Sequence, residues 1–336
     1  MCRISIVTSV YNTPREYLQK YLESVLKQTF EDFEVIIVDD ASTNEDTVSF
    51  LKNIQNKKVK ILFQDKNRGI SVSRNMALRE AKGEFVCVLD SDDYYQTDFL
   101  ETMIEPAKRD KDIDMIICDG YTCVDMEGNI QGMIPEKSYK DIFAYCQKPT
   151  GCRLMRRSVL LDNEIQFPEG KIYEDNVFGI LVTLCAAKIV TVDSYGYINR
   201  QHSKSYSHGS LYKELSLDRI PYQYILEKIC KTLCQIKCDK WKKTAALGET
   251  LNILGTCILI FARETDKEEK RKIIRGNSKF IKQNIKNYIF YIFLWSKRGH
   301  SDRKNKILQT GYCLSVFAHC DKLYVNIFHK LFEMIK

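Results

Sequence analysis

The chain has 336 residues, 44% of them hydrophobic, which is enough apolar material for one large domain or two. The longest wholly apolar runs of its C-terminal half, at 258–262 and 288–295, fall far short of the ~20 residues that a membrane-spanning helix needs, so no span is predicted. Thirteen scattered cysteines, an odd number with no secretory signal before them, predict free thiols in a reducing cytoplasm.

Charge is distributed unevenly along the chain. Residues 1–210 hold 26 basic and 32 acidic side chains, whereas residues 211–336 hold 25 and 12. A basic half of this kind meets nucleic acid, an anionic membrane surface or only solvent. No zinc-finger, RNA-binding or basic-zipper pattern is present, so nucleic acid is the least expected partner. The aromatic run 288–295, flanked by lysines, fits either a segment in a membrane interface or a buried helix, and peripheral membrane contact is a hypothesis.

Strands and helices alternate through the first third of the chain. Buried-type strands are predicted at 4–10, 34–38, 58–63, 85–89 and 113–118, and helices at 14–28, 45–55, 71–81 and 99–108. Thr13 to Glu16 has the form of a capping box with Pro14 as the first helical residue, and the third helix is expected to stop at Lys82-Gly83. This alternation predicts parallel strands joined by right-handed crossovers in a doubly wound α/β sheet.

The pattern from residue 118 to residue 210 is mixed. A hairpin is predicted at the turn 125–129, and the sheet is expected to become mixed there. A helix opening near Glu174 and strands at 189–192 and 195–199 follow. We place a boundary near Ser210, between a domain at 1–210 and a basic helical C-terminal region at 211–336.

Three carboxylates follow the 85–89 strand directly. Asp90, Asp92 and Asp93 are expected at the carboxyl end of a parallel sheet, where ligands of open α/β sheets bind. Carboxylate oxygens suit a hard divalent ion such as Mg²⁺ or Mn²⁺. Acidic clusters after strands also occur as solvated turns or helix N-caps, so the neighbouring motifs must decide.

Four motifs occur in order. They are Thr-Ser-Val-Tyr-Asn at 8–12, Val-Asp-Asp-Ala-Ser-Thr at 38–43, Asn-Arg-Gly-Ile-Ser-Val-Ser-Arg-Asn at 67–75 and Leu-Asp-Ser-Asp-Asp at 89–93. As an ordered set they resemble the nucleotide-sugar half of family-2 glycosyltransferases of the GT-A fold. The resemblance covers 1–117, the nucleotide-sugar half, and extends to 150–210 within an acceptor half that we place at 118–210; it is absent beyond residue 210. It implies a mostly parallel, mixed GT-A sheet with an added C-terminal helical region.

The resemblance also implies how the donor would be bound. Ser9 and Tyr11 would contact the base and ribose, with the ring of Tyr11 as a packing surface. Asp40 would accept the imide N–H of a uracil. Arg74 would hold the nucleotide and its pyrophosphate through charge-assisted hydrogen bonds. We therefore expect a nucleoside-diphosphate sugar, and specifically a UDP-sugar, as the donor.

A metal ion belongs to the same implied site. Asp90 would approach the ribose or the metal, and Asp92 would bind a Mn²⁺ or Mg²⁺ that bridges the diphosphate and neutralises the charge of the leaving group. Further along, the segment 197–205 resembles the part of the family that closes over the pyrophosphate. There Arg200 and Ser203 would bind phosphate oxygens, and His202 would bind phosphate or metal, although a lone histidine is more often structural.

The segment 170–178, Gly-Lys-Ile-Tyr-Glu-Asp-Asn-Val-Phe, resembles the Glu-Asp motif of the family. Asp175 would be the base that deprotonates the acceptor hydroxyl, and direct displacement would invert the anomeric configuration. An acid favoured by the helix macrodipole is the alternative interpretation. Two departures stand out: the Gln-x-x-Arg-Trp signature of processive synthases is missing, and Ala41 replaces a common glycine, which leaves the detail of that loop open.

These features predict an inverting, metal-dependent, non-processive glycosyltransferase. It would move one sugar onto a hydroxyl of a glycan or lipid-linked glycan during synthesis of a bacterial surface polysaccharide such as capsule, lipopolysaccharide or exopolysaccharide. It would work in the cytoplasm or at the inner face of the cytoplasmic membrane. A catalytically inactive binding scaffold of the same fold stays open. A nucleotidyltransferase is less expected, because Val10 to Pro14 is not a glycine-rich phosphate loop with a lysine.

Overall fold

The computed structural model describes residues 3–125, 127–135 and 149–201, together with isolated positions between 228 and 279. Two compact units divide the chain. The first comprises residues 1–137, 148–170 and 185–202, and the second comprises 138–147, 171–184 and 203–336. The boundary near Ser210 lies outside the described residues. So does the basic region 211–336 with its aromatic run, apart from the isolated positions. Both stay predictions. In the described part, no helix has both the length and the hydropathy of a membrane span.

Eleven strands and six α-helices are described. The strands are β1 (Ile4–Val10), β2 (Phe33–Asp39), β3 (Val59–Phe63), β4 (Phe85–Val88), β5 (Tyr94–Tyr95), β6 (Met115–Cys118), β7 (Gly120–Val124), β8 (Ile130–Pro135), β9 (Arg153–Arg156), β10 (Ile189–Val192) and β11 (Tyr197–Arg200). The helices are α1 (Arg15–Leu26), α2 (Glu45–Lys52), α3 (Ile70–Glu80), α4 (Phe99–Arg109), α5 (Arg157–Asp162) and α6 (Glu174–Cys185). The predicted alternation of strands and helices is confirmed.

Two sheets form the first unit. The central sheet has seven strands in the order β10-β6-β9-β4-β1-β2-β3, and every neighbouring pair is parallel except those that β9 makes with β4 and β6. The second sheet has the order β5-β11-β7-β8. The predicted hairpin is β7–β8, but it lies in the second sheet, so the expectation that it makes the central sheet mixed is wrong. The mixed character comes from β9, which enters antiparallel between β4 and β6.

Helices pack on the central sheet, and two of its inner strands, β4 and β6, are apolar throughout. All residues of β4 and β6 are buried, whereas the edge strand β3 is only partly so. Helix α3 packs on β1 and β2, and α4 packs on β6. This explains why β4 shows no alternation of apolar and polar residues in the sequence. The described cysteines are free thiols, four of the five buried, as expected of small apolar core residues.

The start of α1 differs from the predicted capping box. Pro14 is the N-cap residue, at φ −52° and ψ 139°, and no side chain caps the helix. The hydroxyl of Thr13 instead lies 2.7 Å from the hydroxyl of Ser91, in the loop after β4. A capping box is a local pattern, and here a tertiary contact takes the hydroxyl that the cap would have used.

The predicted helix stop at Lys82-Gly83 is also different in detail. Helix α3 ends at Glu80, and Ala81 continues in extended backbone at φ −62°. Gly83 is required for close packing, because an added Cβ would lie 2.5 Å from the backbone nitrogen of Ser5. The glycine therefore marks the approach of two strands and not a left-handed helix cap.

Candidate functional site

The strand order reverses at β1. The chain runs from β1 through β2 to β3 on one side of β1, then returns to place β4 on the other side. Open α/β sheets bind ligands at such a switch point, beyond the carboxyl ends of the strands. Tyr11 follows β1 there, and the four residues Asp90–Asp93, which we name the acidic loop, follow β4 with Leu89 between. The structure thus places two of the four motifs at this crevice.

Ser9 and Tyr11 lie at the end of β1. Ser9 is half-buried within the strand, and Tyr11 is 49% exposed just beyond it. Val10, next to both, is paired in register with Asp39 at the end of β2. The ring of Tyr11 is therefore an exposed aromatic surface at the carboxyl edge of the sheet, as a base-packing residue would require.

Asn12 ties the loop after β1 to the loop after β2. Its Oδ1 accepts hydrogen bonds from the backbone nitrogens of Thr43 at 2.8 Å and Asn44 at 2.9 Å. Its own backbone nitrogen donates to the hydroxyl of Ser42 at 2.8 Å. Asn12 adopts a φ of 52° and Ala41 a φ of 57°, in the left-handed region that asparagine tolerates better than alanine. The sequence motif contained Asn12, but its role in joining two loops was missed.

Asp40 is bonded to its own chain. Its carboxylate is 2% exposed, and Oδ1 accepts from Gln64 Nε2 at 2.7 Å and from the backbone nitrogen of Arg68 at 2.8 Å. Oδ2 accepts from the backbone nitrogen of Gly69 at 2.8 Å. Gly69 is the N-cap of α3, at a φ of 92°. Asp40 therefore fixes the loop that leads into the helix carrying Arg74.

Arg74 is brought together with Asp90. The arginine is 3% exposed, and its Nη2 donates to Asp90 Oδ1 at 2.7 Å. Its guanidinium carbon lies 5.1 Å from the ring centroid of Phe167. Asn75 fixes the backbone of Phe167, since it donates to the carbonyl of Phe167 at 2.9 Å and accepts from its nitrogen at 2.8 Å. Phe167 was missed because it lies more than 90 residues away in the chain.

The contacts of Asp93 favour a structural role and not a role as a metal ligand. It is 2% exposed, its Oδ1 accepts from the backbone nitrogen of Arg200 at 2.8 Å, and its Oδ2 accepts from Asn199 Nδ2 at 3.1 Å and from the hydroxyl of Tyr197. Burial raises the pKa of Asp93 well above its usual range, and the nearby negative charges of Asp92 and Asp90 raise this pKa further. Asp93 therefore joins the acidic loop to β11.

Asp90 and Asp92 are the more exposed acids of the loop. The side chain of Asp90 is 34% exposed, and Asp92 is also only partly buried. Among the described residues no group of three potential metal ligands is present. Two carboxylates still fit Mg²⁺ or Mn²⁺, because such ions take one or two protein carboxylates and complete their coordination with phosphates and water. His202, the third predicted ligand, and Ser203 lie outside the described residues.

Arg200 contacts two aromatic rings. Its guanidinium carbon is 4.4 Å from the ring centroid of Tyr17 and 5.4 Å from that of Tyr94. Its Nε donates to the backbone carbonyl of Asp92 at 3.1 Å. The predicted phosphate ligand thus contacts the acidic loop through the main chain.

Asp175 belongs to the second unit and is described within it alone. It is the second residue of α6, after Glu174, and its Oδ1 accepts from the backbone nitrogen of Asn176 at 2.8 Å. Tyr173, just before the helix, adopts a left-handed φ of 55°. The side chain is half-buried at a helix N-terminus, where a carboxylate is favoured by the macrodipole.

Residues 5–162 match the family model described as glycosyl transferase family 2. An uncharacterized glycosyltransferase of Haemophilus influenzae is 31% identical over 182 residues, which cover 52% of this chain and 69% of that protein. Glycosyltransferase GlyG of Streptococcus pneumoniae is 29% identical over 218 residues, which cover 60% of this chain and 72% of GlyG.

The poly(ribitol-phosphate) β-N-acetylglucosaminyltransferase TarS of Staphylococcus aureus is similar in sequence and in structure. It is 30% identical over 215 residues, covering 59% of this chain but only 35% of TarS. A crystal structure of TarS 1–349 with UDP-GlcNAc matches with a TM-score of 0.74 at 22% identity, covering 99% of this chain and 92% of that one. This structural likeness establishes the GT-A fold. With the family model and the relatives added, the chain belongs to glycosyltransferase family 2.

Proposed function

We propose that the protein is an inverting, metal-dependent glycosyltransferase that moves a single sugar from a UDP-sugar to a hydroxyl of a glycan or lipid-linked glycan. One observation supports this most directly: the Arg74–Asp90 ion pair of 2.7 Å lies beside Asp92 at the switch point of a family-2 sheet. A cation and two acids at this place are the groups that a nucleotide diphosphate and a divalent ion need.

Asp40 would recognise the nucleobase of the donor. A carboxylate has about four acceptor positions, and Asp40 uses three of them within the chain. The fourth would accept the imide N–H of uracil, while Ser9 and the exposed ring of Tyr11 would contact the ribose and base. Because cytosine has no hydrogen on the equivalent ring nitrogen, CDP is expected to bind more weakly than UDP. The UDP-GlcNAc bound in TarS supports a UDP-sugar as donor.

The diphosphate would lie over the acidic loop. Asp92 and Asp90 would hold a Mn²⁺ or Mg²⁺, with His202 as a further proposed ligand; such an ion would neutralise charge on the leaving diphosphate. Arg74 orients Asp90 through their ion pair and adds a fixed positive charge beside it. Arg200 and Ser203 are proposed to contact phosphate oxygens.

Asp175 would be the general base. It would take the proton of the acceptor hydroxyl while that oxygen attacks the anomeric carbon opposite the leaving diphosphate, so the configuration inverts. A surface polysaccharide or its lipid-linked precursor is the proposed acceptor, met in the cytoplasm or at the inner membrane face through the basic region 211–336.

The role of Asp175 has a matched control in the same chain. Helix α2 also opens with Glu-Asp, so Asp46 is the second residue of its helix as Asp175 is of α6. We expect Asp175→Asn to keep UDP binding and to lower transfer by roughly 100- to 10,000-fold, and Asp46→Asn to change neither. The assay measures UDP release and product anomeric configuration with a panel of UDP-sugars and membrane-derived acceptors. Transfer that survives in Asp175→Asn would mean that another group is the base.

A further inference from the structure

Arg200 contacts the acidic loop from one side. Its Nε donates to the carbonyl of Asp92 at 3.1 Å, and its backbone nitrogen donates to the carboxylate of Asp93 at 2.8 Å. The rings of Tyr17 and Tyr94 lie at 4.4 and 5.4 Å from its guanidinium carbon. Such cation–π contacts restrict the side chain to a narrow range of rotamers and keep the Nε donor in place.

A second contact holds the same loop from the side of α1. The Ser91 hydroxyl lies 2.7 Å from that of Thr13, and the Thr13 carbonyl accepts from the hydroxyl of Thr47 at 2.9 Å. Ser91 is 9% exposed, so this bond is shielded from water. The residue before Asp92 and the carbonyl of Asp92 are therefore both fixed, and together they set the direction in which its side chain leaves the backbone.

We propose that Arg200 is a positioning residue that orients Asp92 for the divalent ion, and that it does so through the backbone carbonyl of Asp92. This inference rests on the proposed function, because it requires that Asp92 binds the metal. Groups that orient a metal ligand without touching the metal commonly change metal affinity strongly when they are replaced. A lysine at position 200 keeps the positive charge but has neither the planar group nor the Nε donor.

Arg157 provides a matched control. Its Nε also donates to a backbone carbonyl, that of Gly83, at 2.9 Å. Gly83 precedes β4, at the end of the strand opposite the acidic loop. The variants Arg200→Lys and Arg157→Lys therefore remove the same type of bond from the two ends of one strand.

The test separates metal binding from phosphate binding. Mn²⁺ is titrated into the full-length protein with excess UDP and followed by the electron paramagnetic resonance of free Mn²⁺, and UDP alone is titrated in EDTA and followed by ligand-observed NMR. Arg200→Lys is expected to weaken Mn²⁺ binding by roughly 10- to 100-fold and UDP binding in EDTA by much less, because lysine keeps the positive charge that would attract the phosphates. Arg157→Lys is expected to change neither, whatever its effect on the melting temperature.

Two results would overturn the inference: unchanged Mn²⁺ affinity in Arg200→Lys, or an equal loss of UDP affinity in EDTA, which would make Arg200 a phosphate ligand only. Tyr94→Leu removes one of the two rings and is also expected to weaken Mn²⁺ binding. This variant tests the inference independently if Arg200→Lys fails to fold. Asp92→Ala separates the two proposals. If Asp92→Ala loses Mn²⁺ and Arg200→Lys does not, only this inference fails; if Asp92→Ala retains Mn²⁺, the metal site of the proposed function fails as well.

Discussion

The loops after β2 and β4 both present aspartates at the carboxyl edge of one sheet, yet they use them differently. After β2, Asp40 is 2% exposed and accepts three hydrogen bonds from its own chain. After β4, the side chain of Asp90 is 34% exposed and forms an ion pair with Arg74, while Asp93 is buried and bonded to β11. Position at the sheet edge therefore does not decide what an acid does; the donors around it do.

The two kinds of acid are expected to respond differently to mutation. An acid that accepts several buried hydrogen bonds supports the fold even where it also contacts a ligand, as proposed for Asp40, and removing it leaves donors unsatisfied. An acid that faces the crevice supports binding, and removing it spares the fold. Four substitutions test this division, from the largest expected effect to the smallest.

Asp92→Ala should abolish metal-dependent UDP binding and lower transfer by about 1,000-fold, because the ion that neutralises the leaving group would be lost. The melting temperature of the free protein should change little. Asp98→Ala is a suitable control, since Asp98 is the N-cap residue of α4 but its side chain caps no backbone nitrogen. Unchanged metal dependence in Asp92→Ala would move the metal site elsewhere. Transfer assays and Mn²⁺ titration measure the effect.

Asp40→Ala should lower the free energy of unfolding by roughly 2–4 kcal/mol, since Gln64 and two backbone nitrogens lose a buried acceptor. Urea denaturation measures this. The control is Asp65→Ala, whose exposed carboxylate pairs with Arg68 at 2.8 Å and should contribute little. If both variants are equally stable, the loop after β2 is not held by Asp40.

Tyr197→Phe should lower the free energy of unfolding by roughly 1–3 kcal/mol, because Asp93 loses a buried donor. The pH dependence of the free energy of unfolding follows from the raised pKa of Asp93. The folded state favours the protonated form, so stability falls as the pH rises from about 4 towards that pKa. Removing the hydroxyl raises this pKa further. The difference between variant and wild type should therefore grow with pH, as urea denaturation at several pH values would show. A difference in the free energy of unfolding that stays constant with pH would contradict this prediction.

Ala41→Gly should raise the free energy of unfolding by about 1 kcal/mol. Ala41 has a φ of 57°, where glycine meets no steric penalty. Ala81→Gly is the control: Ala81 has a φ of −62°, so glycine there should destabilise the protein. Thermal unfolding shows whether each substitution stabilises or destabilises the protein. A loss of stability in Ala41→Gly would mean that the loop gains more from the methyl group than it loses in strain.

Local patterns predicted the elements but not the partners of the polar groups. Strand β1 has the predicted limits, and three of the four glycosyltransferase motifs end predicted strands, because burial and turn residues act over a few positions. The bonds of Asp40 come from residues 24 to 29 positions away, and those of Asp93 from residues more than 100 positions away. No local spacing encodes them.

The same reason explains two of the three differences from the predicted fold. The capping box at Thr13 is lost to Ser91, 78 residues away, and the central sheet becomes mixed through β9, whose neighbours β4 and β6 precede it by more than 30 residues. Asn12, Gln64 and Asn75 are polar residues beside strand ends or in a buried helix turn. Asn75 is buried and the other two are partly buried. Their amides could have been flagged as structural, but their partners could not have been named.

The most direct test of the account is the melting temperature of the full-length protein with UDP, GDP, dTDP and CDP, each with and without Mn²⁺. A ligand at 100 times its dissociation constant adds about 2.7 kcal/mol, which moves the melting temperature by several degrees. We expect a shift with UDP that requires Mn²⁺, is lost in Asp92→Ala and is much smaller with CDP. A protein that binds none of the nucleotides, with or without the metal, would contradict it and favour an inactive scaffold of the same fold.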